Sequence, residues 1–218
     1  MQSWLAKTSI GRPDSFAPER NPHTLPEIEA QTIRQFIRNS GMQVLTLAGY
    51  SGAGYQYPEQ MLEVVSRALE DRDPAQWLIC SGATSCGIGA AYEVAKQAGF
   101  TTLGIVSSKA LEERVEVSPY LDYVFFVEDS KWGGRLDDGT LSPTSREFVE
   151  TGDEFLVIGG NGIARDEILA AHLAGKPVTY IQADMNHERA VARAGQCNNR
   201  GAIDFHGLAH AELSNLLN

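Results

Sequence analysis

VIGGNGIARDE, residues 157 to 167, places three glycines directly after an apolar run and follows them with Arg165, Asp166 and Glu167. A tight turn needs one glycine or two, so the third glycine requires a second reason. An apolar run that passes through glycines into a helical stretch is typical of strand-to-helix turns in α/β proteins. The chain on both sides of this stretch repeats the same alternation.

Short apolar runs predict six strands, at residues 44–49, 77–82, 102–108, 123–128, 154–160 and 178–183. Helical spacing predicts helices at residues 57–71, 86–99, 142–152, 163–174 and 204–217. Strands that are apolar on both faces and separated by helices indicate a parallel sheet covered on both sides. We therefore expect an α/β fold of Rossmann-like type, with a three-layer, doubly wound, mostly parallel sheet.

The length of 218 residues, of which 43% are hydrophobic, predicts a single domain spanning residues 1–218. Residues 1–24 contain three prolines and no sustained period, which predicts an irregular N-terminal arm. Residues 26–40 have the apolar spacing of an added amphipathic helix. The Rossmann-like core is expected at residues 42–183, followed by a C-terminal helical segment at residues 184–218.

The formal net charge of −10 argues against a surface that follows the phosphate backbone of nucleic acid. Cys80, Cys86 and Cys197 show no CxxC spacing, so neither a disulfide framework nor a zinc site is indicated. The N-terminus lacks the apolar core of a signal peptide, and no apolar run approaches the ~18 residues of a membrane span. These features predict a cytoplasmic protein that contacts neither membrane nor nucleic acid.

Ligands of doubly wound sheets bind outside the carboxyl ends of the strands, so the informative residues should lie in the loops that follow them. Three of these loops are rich in glycine and small hydroxyl residues: 48–54, 81–89 and 159–167. Their candidate ligand-binding residues are Gly49, Ser51, Gly52, Ser81, Gly82, Thr84, Ser85, Gly159, Gly160, Asn161, Gly162, Ile163 and Arg165.

Glycines in a strand-to-helix turn let backbone amides approach an anion, because no Cβ stands in the way. The helix that follows directs the positive end of its dipole at the same point, which contributes roughly 0.3–1 kcal/mol per charge. A lone turn of this kind could equally serve close packing. Three such loops favour a nucleotide ligand, while the absence of the P-loop and GxGxxG patterns disfavours ATP hydrolysis and NAD chemistry, and no cofactor is expected.

These three loops together resemble the LOG-like or SLOG Rossmannoid superfamily, over about residues 42–183. The superfamily includes cytokinin-activating phosphoribohydrolases, molybdenum-cofactor carrier proteins and DprA. In its enzymes the signature is a Pro-Gly-Gly-x-Gly-Thr-x-x-Glu loop, to which Gly159, Gly160 and Gly162 correspond. Ile158 stands in place of the proline, Ile163 in place of the threonine and Asp166 in place of the glutamate. Arg146 is the nearest candidate for the family's arginine.

The resemblance implies a nucleotide-binding protein that hydrolyses the N-glycosidic bond of a nucleoside 5′-monophosphate. Asp166 or Glu167 would stabilise the charged sugar, because the helix dipole keeps a first-turn carboxylate ionised, and Arg146 would assist. Arg165 would contact phosphate or a partner's carboxylate. Each of these four side chains has a simpler alternative, since both carboxylates could only stabilise the helix and both arginines could lie in solvent.

The rival interpretation is a non-catalytic carrier or sensor of a nucleotide or cofactor, which would tolerate Ile163 and Asp166. The resemblance also implies a homodimer. His206 and His210 are four residues apart, but without an HExxH glutamate they do not predict a metal site. The loop at residues 131–139 is either a lid that stacks on a base or an ordinary surface loop.

Overall fold

The computed structural model describes residues 4–6, 33–196 and 202–216. Its strands are β1 (Trp4–Ala6), β2 (Gln43–Gly49), β3 (Trp77–Ser81), β4 (Thr101–Ser107), β5 (Tyr123–Val127), β6 (Glu154–Ile158) and β7 (Val178–Ile181). Its helices are α1 (Ile33–Ser40), α2 (Pro58–Glu70), α3 (Ala91–Gln97), α4 (Lys109–Glu112), α5 (Pro143–Thr151), α6 (Gly162–Leu173), α7 (His187–Gln196) and α8 (Gly207–Leu216).

The seven strands form one sheet in the order β1-β5-β4-β3-β2-β6-β7. Strands β2 to β7 are parallel to their neighbours, and β1 pairs with β5 in the antiparallel sense. The chain runs outward from β2 to β5 and then returns to place β6 and β7 on the other side of β2. The topological switch point therefore lies between β2 and β6, where doubly wound sheets form a crevice.

Two apolar layers cover the sheet. On one face, α1, α5, α6 and α8 pack against it through a cluster that includes Ile33, Phe148, Ile168 and Leu213. On the other face, α2 and α3 contribute a second cluster that includes Met61. The three-layer, doubly wound, Rossmann-like fold expected from the sequence is confirmed.

Two predicted elements need correction. The expected irregular arm at residues 1–24 contains the edge strand β1, so that prediction is wrong at Trp4–Ala6. The expected helix at residues 86–99 begins as a 3-10 turn, Gly87–Ala90, and becomes α-helical only at Ala91. A Cβ at Gly89 would lie 1.9 Å from the Thr84 carbonyl oxygen, so tight packing shapes this entry.

Some predicted features lie partly outside the described residues. The helix expected at residues 26–40 is described from Ile33 onward, and its first part lies outside the described residues. Cys80 is buried and free, Cys86 is exposed and free, and Cys197 lies outside the described residues. Within the described part of the chain, no helix is long and apolar enough to span a membrane. The assignment of residues 1–218 to one domain remains a prediction.

Candidate functional site

The loops that follow β3, β2 and β6 meet at the carboxyl edge of the sheet, because these three strands are neighbours. The Ile88 amide in the loop after β3 donates to the Tyr50 carbonyl after β2, over 2.7 Å. A Cβ at Gly159, after β6, would lie 2.4 Å from a ring carbon of Tyr50. The structure thus brings the three glycine-bearing loops together at the switch point.

The crevice at the switch point is filled by the protein itself. Tyr50 is 1% exposed, and its hydroxyl donates to the carbonyl of His206 at 2.6 Å, with the Ala183 carbonyl as a second acceptor at 3.1 Å. Residues 205–209, which we call the C-terminal strap, lie over the turn, where the Ala209 amide donates to the Gly160 carbonyl at 3.1 Å. Burial raises the pKa of the Tyr50 hydroxyl well above its usual value, so the hydroxyl keeps its proton.

The amides of Gly159 and Gly160 are therefore not available to an anion. The Gly159 amide donates to the Ile181 carbonyl at 2.9 Å, and the Gly160 amide faces the Tyr50 hydroxyl. The expectation that these two amides hold a phosphate is wrong. Their conformations explain the glycines instead, since φ is +60° at Gly159 and +129° at Gly160, where L side chains are strained.

The first turn of α6 offers amides that the glycine turn does not. The first bond of the helix runs from the Arg165 amide to the Asn161 carbonyl, so the amides of Gly162, Ile163 and Ala164 have no intrahelical acceptor. Asn161 is the N-cap residue and makes no side-chain cap bond. Ile163 is 42% exposed, so this positive end of the helix dipole opens to the surface.

Two arginines lie beside this first turn, and they share one carboxylate. Arg165 donates from Nε and Nη2 to the Oδ1 atom of Asp166, at 3.0 and 2.9 Å. The Nε atom of Arg135 lies 3.7 Å from the same oxygen, and Nη1 of Arg165 lies 3.7 Å from Glu212. Asp166 is therefore engaged in ion pairs rather than free to face a substrate.

Arg135 was missed by the sequence analysis, which selected Arg146. Arg146 lies exposed on α5, and among the described residues the arginines paired with Asp166 are Arg135 and Arg165. The expectation that Arg146 assists at the carboxylates is wrong. The available signal for Arg135 was its position directly after two glycines, Gly133 and Gly134, in the loop that was considered as a lid.

Glu167 points into the protein, as expected for a residue about 100° around the helix from its neighbour Asp166. Its Oε1 atom accepts a hydrogen bond from the Ser145 hydroxyl at 2.6 Å. Burial raises the pKa of this carboxyl to about 8, the nearby Asp166 adds to the rise and the Ser145 hydrogen bond opposes it. Glu167 is therefore largely protonated at neutral pH, and the expectation that the dipole keeps it ionised is wrong.

The other candidate residues divide between surface and core. In the loop after β3, Gly82 and Ser85 are exposed, and the Thr84 hydroxyl accepts the Cys86 amide at 3.3 Å. Ser81 is only 2% exposed, so the expectation that it binds a ligand is wrong.

In the loop after β2, Ser51 and Gly52 are exposed, and the Gly52 carbonyl accepts from Arg189 at 3.2 Å. A Cβ at Gly49 would lie 2.1 Å from the Tyr55 hydroxyl, so this glycine serves packing rather than ligand access. Of the three residues that were selected in this loop, only Ser51 and Gly52 lie on the surface.

A cavity of about 410 Å³ lies away from the first turn of α6. It lies between α2 and the carboxyl ends of β6 and β7, and Tyr57, Met61, Ile181 and Asp184 are among the residues that line it. No residue of α6 contributes to its wall. The open surface at the α6 terminus and this cavity are therefore separate features.

Next to the cavity, the Asp184 carboxylate lies between two histidines. The ring nitrogens of His206 and His187 lie 2.7 and 3.2 Å from its two oxygens. Burial opposes ionisation of Asp184, but hydrogen bonds from the two imidazoles outweigh it and lower its pKa. Within residues 33–196 and 202–216, no group of three or more side chains is placed to hold a metal, and the His206 and His210 rings lie 5.0 Å apart.

Neither a protein-family model nor a curated protein sequence matches the chain. Among solved structures, the X-ray structure of a structural-genomics target is 26% identical over 63% of this chain and 72% of that chain, with a TM-score of 0.46. The Moco carrier protein from Chlamydomonas reinhardtii is 17% identical over 81% of this chain and 98% of that one, with a TM-score of 0.48. DNA processing protein A from Streptococcus pneumoniae is 15% identical over 79% and 62%, with a TM-score of 0.46. The last two proteins belong to groups that were named in the sequence resemblance. Their similarity to this chain is a similarity of fold.

Proposed function

We propose that the protein binds a nucleotide or a nucleotide-derived phosphorylated metabolite and acts as its carrier or sensor. The phosphate would lie at the first turn of α6. The single observation that carries this proposal is the coincidence of acceptor-free amides at Gly162 to Ala164 with Arg135 and Arg165 at the same surface. Helix N-termini and arginines are the groups that proteins use to hold phosphate.

The local charge supports an anionic ligand, although the whole chain has a net charge of −10. Arg135 and Arg165 pair with Asp166, and Arg165 also lies 3.7 Å from Glu212, so the positive excess at this surface comes from the helix terminus, which contributes roughly half a charge. Glu167, which follows Asp166 in α6, is largely neutral because burial raises its pKa to about 8. The first turn of α6 thus carries a small positive excess on an acidic protein.

Exposed apolar side chains beside the arginines support a ligand larger than inorganic phosphate. Trp132 is 39% exposed and Ile163 is 42% exposed. A Cβ at Gly133, next to Trp132, would lie 3.2 Å from Ile163, so the tryptophan's loop lies against this turn. The exposed indole of Trp132, in the same loop, would be available to stack on a base.

The second candidate function is hydrolysis of the N-glycosidic bond of a nucleoside 5′-monophosphate. The observation in its favour is Asp166, which keeps an acidic group in the first turns of α6. Three observations weigh against hydrolysis. Asp166 is paired with two arginines, Glu167 is buried and accepts a hydrogen bond from Ser145, and Arg146 lies exposed on α5. We therefore place hydrolysis after binding.

Thermal unfolding with a panel of nucleoside monophosphates and inorganic phosphate tests the binding proposal. A ligand that binds only the native state raises the unfolding temperature in proportion to the logarithm of its concentration. Arg165→Gln and Arg135→Gln should each weaken binding by roughly 10- to 100-fold, since a charge-assisted hydrogen bond contributes about 1.5–3 kcal/mol. Arg146→Gln is the matched control, and its affinity should equal that of the wild type. Failure of every nucleotide to shift the unfolding temperature would refute the proposal.

The same mixtures decide between carrier and enzyme. Chromatography of the incubated monophosphates should show no free base if the protein is a carrier or sensor. Base release by the wild type that is lost in Asp166→Asn would establish the hydrolase instead. Release that persists in Asp166→Asn would point to a contaminating enzyme.

We further propose that the chain forms a homodimer, as the family resemblance implies. Large apolar side chains are exposed on α6 and α8, where Leu173 is 80%, Leu208 58% and Leu216 51% exposed. Exposed apolar side chains of this size can contribute to an interface between two copies of the chain. Light scattering at micromolar concentration should give twice the mass of one chain, and a monomer would refute this.

A further inference from the structure

The loop at residues 131–139, which we call the cover loop, is fixed to the protein by its own backbone. Its Gly134 amide donates to the Ser145 hydroxyl oxygen at 2.7 Å, and its Gly134 carbonyl accepts the Ser142 amide at 2.8 Å. At its start, the Lys131 amide donates to Asp129 at 2.8 Å. The cover loop is therefore tied to the start of α5 on one side and lies against α6 on the other.

One buried hydroxyl joins three elements. Ser145 on α5 is fully buried, and it donates its single proton to Oε1 of Glu167 on α6 at 2.6 Å. Its oxygen is thereby free to accept the Gly134 amide of the cover loop. Because a hydroxyl has one proton, the bond to Glu167 fixes the direction in which the oxygen faces Gly134.

Two adjacent glycines of the cover loop, Gly133 and Gly134, allow this close approach. Gly133 has φ of +131°, and a Cβ there would lie 2.9 Å from the Ser145 oxygen and 3.6 Å from Oε1 of Glu167. Gly134 has φ of +80°. Arg135 follows directly, and its Nε lies 3.7 Å from Asp166. The backbone position that Ser145 fixes is thus one residue away from the guanidinium at the α6 terminus.

We propose that Ser145 and Glu167 are positioning residues, which fix the cover loop on the first turn of α6 and hold Arg135 beside Asp166. Neither residue touches the ligand in this arrangement. The proposal rests on the proposed function only in calling that surface a phosphate seat. The placement of the loop by the two residues stands on the hydrogen bonds alone.

The protonation of Glu167 gives the arrangement a measurable signature. The charged and titratable groups around it are Asp166 on its own helix, with the arginines paired to it, and Cys80 from β3. On the α5 side it meets the neutral Ser145, and on the cover-loop side it meets Gly133. No positive side chain among the described residues bonds Glu167 directly, so an ionised carboxylate here would be buried without an ion-pair partner.

The sign of the effect follows from the direction of the shift. The pKa of Glu167 is raised from 4.5 to about 8 by burial, so the closed structure binds the proton more tightly than solvent does. Stability of the closed loop is fully present below the ordinary glutamate pKa and is lost as pH rises through about 8. Gly133 lies against this carboxyl, since a Cβ there would be 3.6 Å from Oε1, so ionisation should release the cover loop.

Trp132 lies in the cover loop and reports on it without any ligand. We would measure acrylamide quenching of tryptophan fluorescence between about pH 6 and 9.5, with Trp132→Phe giving the contribution of Trp4 and Trp77. The wild type should show a rise in quenching centred near pH 8. Glu167→Gln keeps an acceptor for Ser145 and has no ionisable proton, so its quenching should stay low at every pH. Ser145→Ala should be quenched more strongly at every pH.

Glu147→Gln is the matched control. Like Glu167, Glu147 is a buried acid with a raised pKa, but it lies on α5 and pairs with Arg34. It should keep the wild-type transition. A transition that survives in Glu167→Gln, or disappears in Glu147→Gln, would overturn the proposal. If Ser145→Ala does not fold, as judged by near-ultraviolet circular dichroism, the comparison of the two glutamine variants decides the matter.

Nucleotide titration of the same variants separates this inference from the proposed function. Ser145→Ala should lose affinity to the same extent as Arg135→Gln, whereas Glu167→Gln should keep wild-type affinity at pH 7 and retain it at pH 9. A pH transition of Trp132 without nucleotide binding would leave the positioning role intact and refute only the phosphate seat. Nucleotide binding that Ser145→Ala leaves unchanged would refute the positioning role.

Discussion

Replacing Gly207 by alanine should detach the C-terminal strap from the glycine turn. Gly207 has φ of +72°, and a Cβ there would lie 2.5 Å from the Gly160 carbonyl oxygen and 2.6 Å from the Tyr50 hydroxyl. The left-handed backbone costs an alanine roughly 1–2 kcal/mol. To relieve the clash between the new Cβ and the Gly160 carbonyl, the strap must move away. This movement breaks the hydrogen bonds from Tyr50 to His206 and from Ala209 to Gly160, and each lost bond lowers the unfolding free energy by about 0.5–1.5 kcal/mol.

Gly175→Ala is the matched control for this substitution. Gly175 has φ of +75°, but a Cβ there would meet nothing within 4 Å, so only the backbone term applies. We expect a loss of unfolding free energy of about 1–2 kcal/mol for Gly175→Ala and about 2–5 kcal/mol for Gly207→Ala. Urea titration gives both values from the midpoint and slope. Equal losses in the two variants, or wild-type hydrogen-exchange protection of residues 205–209 in Gly207→Ala, would refute the close packing of the strap.

Two further substitutions test interactions outside the glycine turn. The Lys176 ammonium donates to three carbonyls at the end of α5, so Lys176→Met should lower the unfolding free energy by about 1–3 kcal/mol, measured by urea titration; no loss would show that water replaces the ammonium. The pKa of Asp184 is lowered, so its stabilisation is present above the ordinary aspartate pKa and is lost as pH falls through the folded value. Thermal unfolding between about pH 6 and 3 should therefore show a smaller acid-induced loss in Asp184→Asn than in the wild type, and equal slopes would contradict the histidine contacts.

The parallel strands were predictable because burial on both faces leaves a strong local signal. The ends of strands β2 to β7 differ from the predicted runs by at most two residues, as in β6, predicted at 154–160 and found at Glu154–Ile158. Strand β1 has three residues at a sheet edge, too few to show a period. Helix α7 was predicted only as part of the C-terminal helical segment at residues 184–218, and none of its residues is buried in the core.

The location of the candidate site was predictable, but its free groups were not. Glycine-rich loops at strand ends identify the carboxyl edge of a sheet, and the three loops do meet there. Whether an amide is free depends on residues far along the chain. Tyr50 and the strap residue His206 close the crevice through a hydrogen bond between distant segments, and no local pattern reports it. The contact of Arg135 with Asp166 also joins distant segments, because the cover loop packs against α6 only in the folded chain.

The departures from the family signature are connected to one another in the structure. Ile163 stands where the signature has threonine, which removes a hydroxyl from the first turn of α6. The same side chain lies against the cover loop, since a Cβ at Gly133 or Gly134 would be 3.2 or 3.4 Å from it. That loop carries Arg135, whose guanidinium has more donors than the missing hydroxyl. In the proposed function, Arg135 would supply donors to an anion in place of the hydroxyl, while the pairing of Asp166 with the arginines would make this carboxylate less available for cleavage. Both changes would favour the proposed carrier or sensor over a hydrolase.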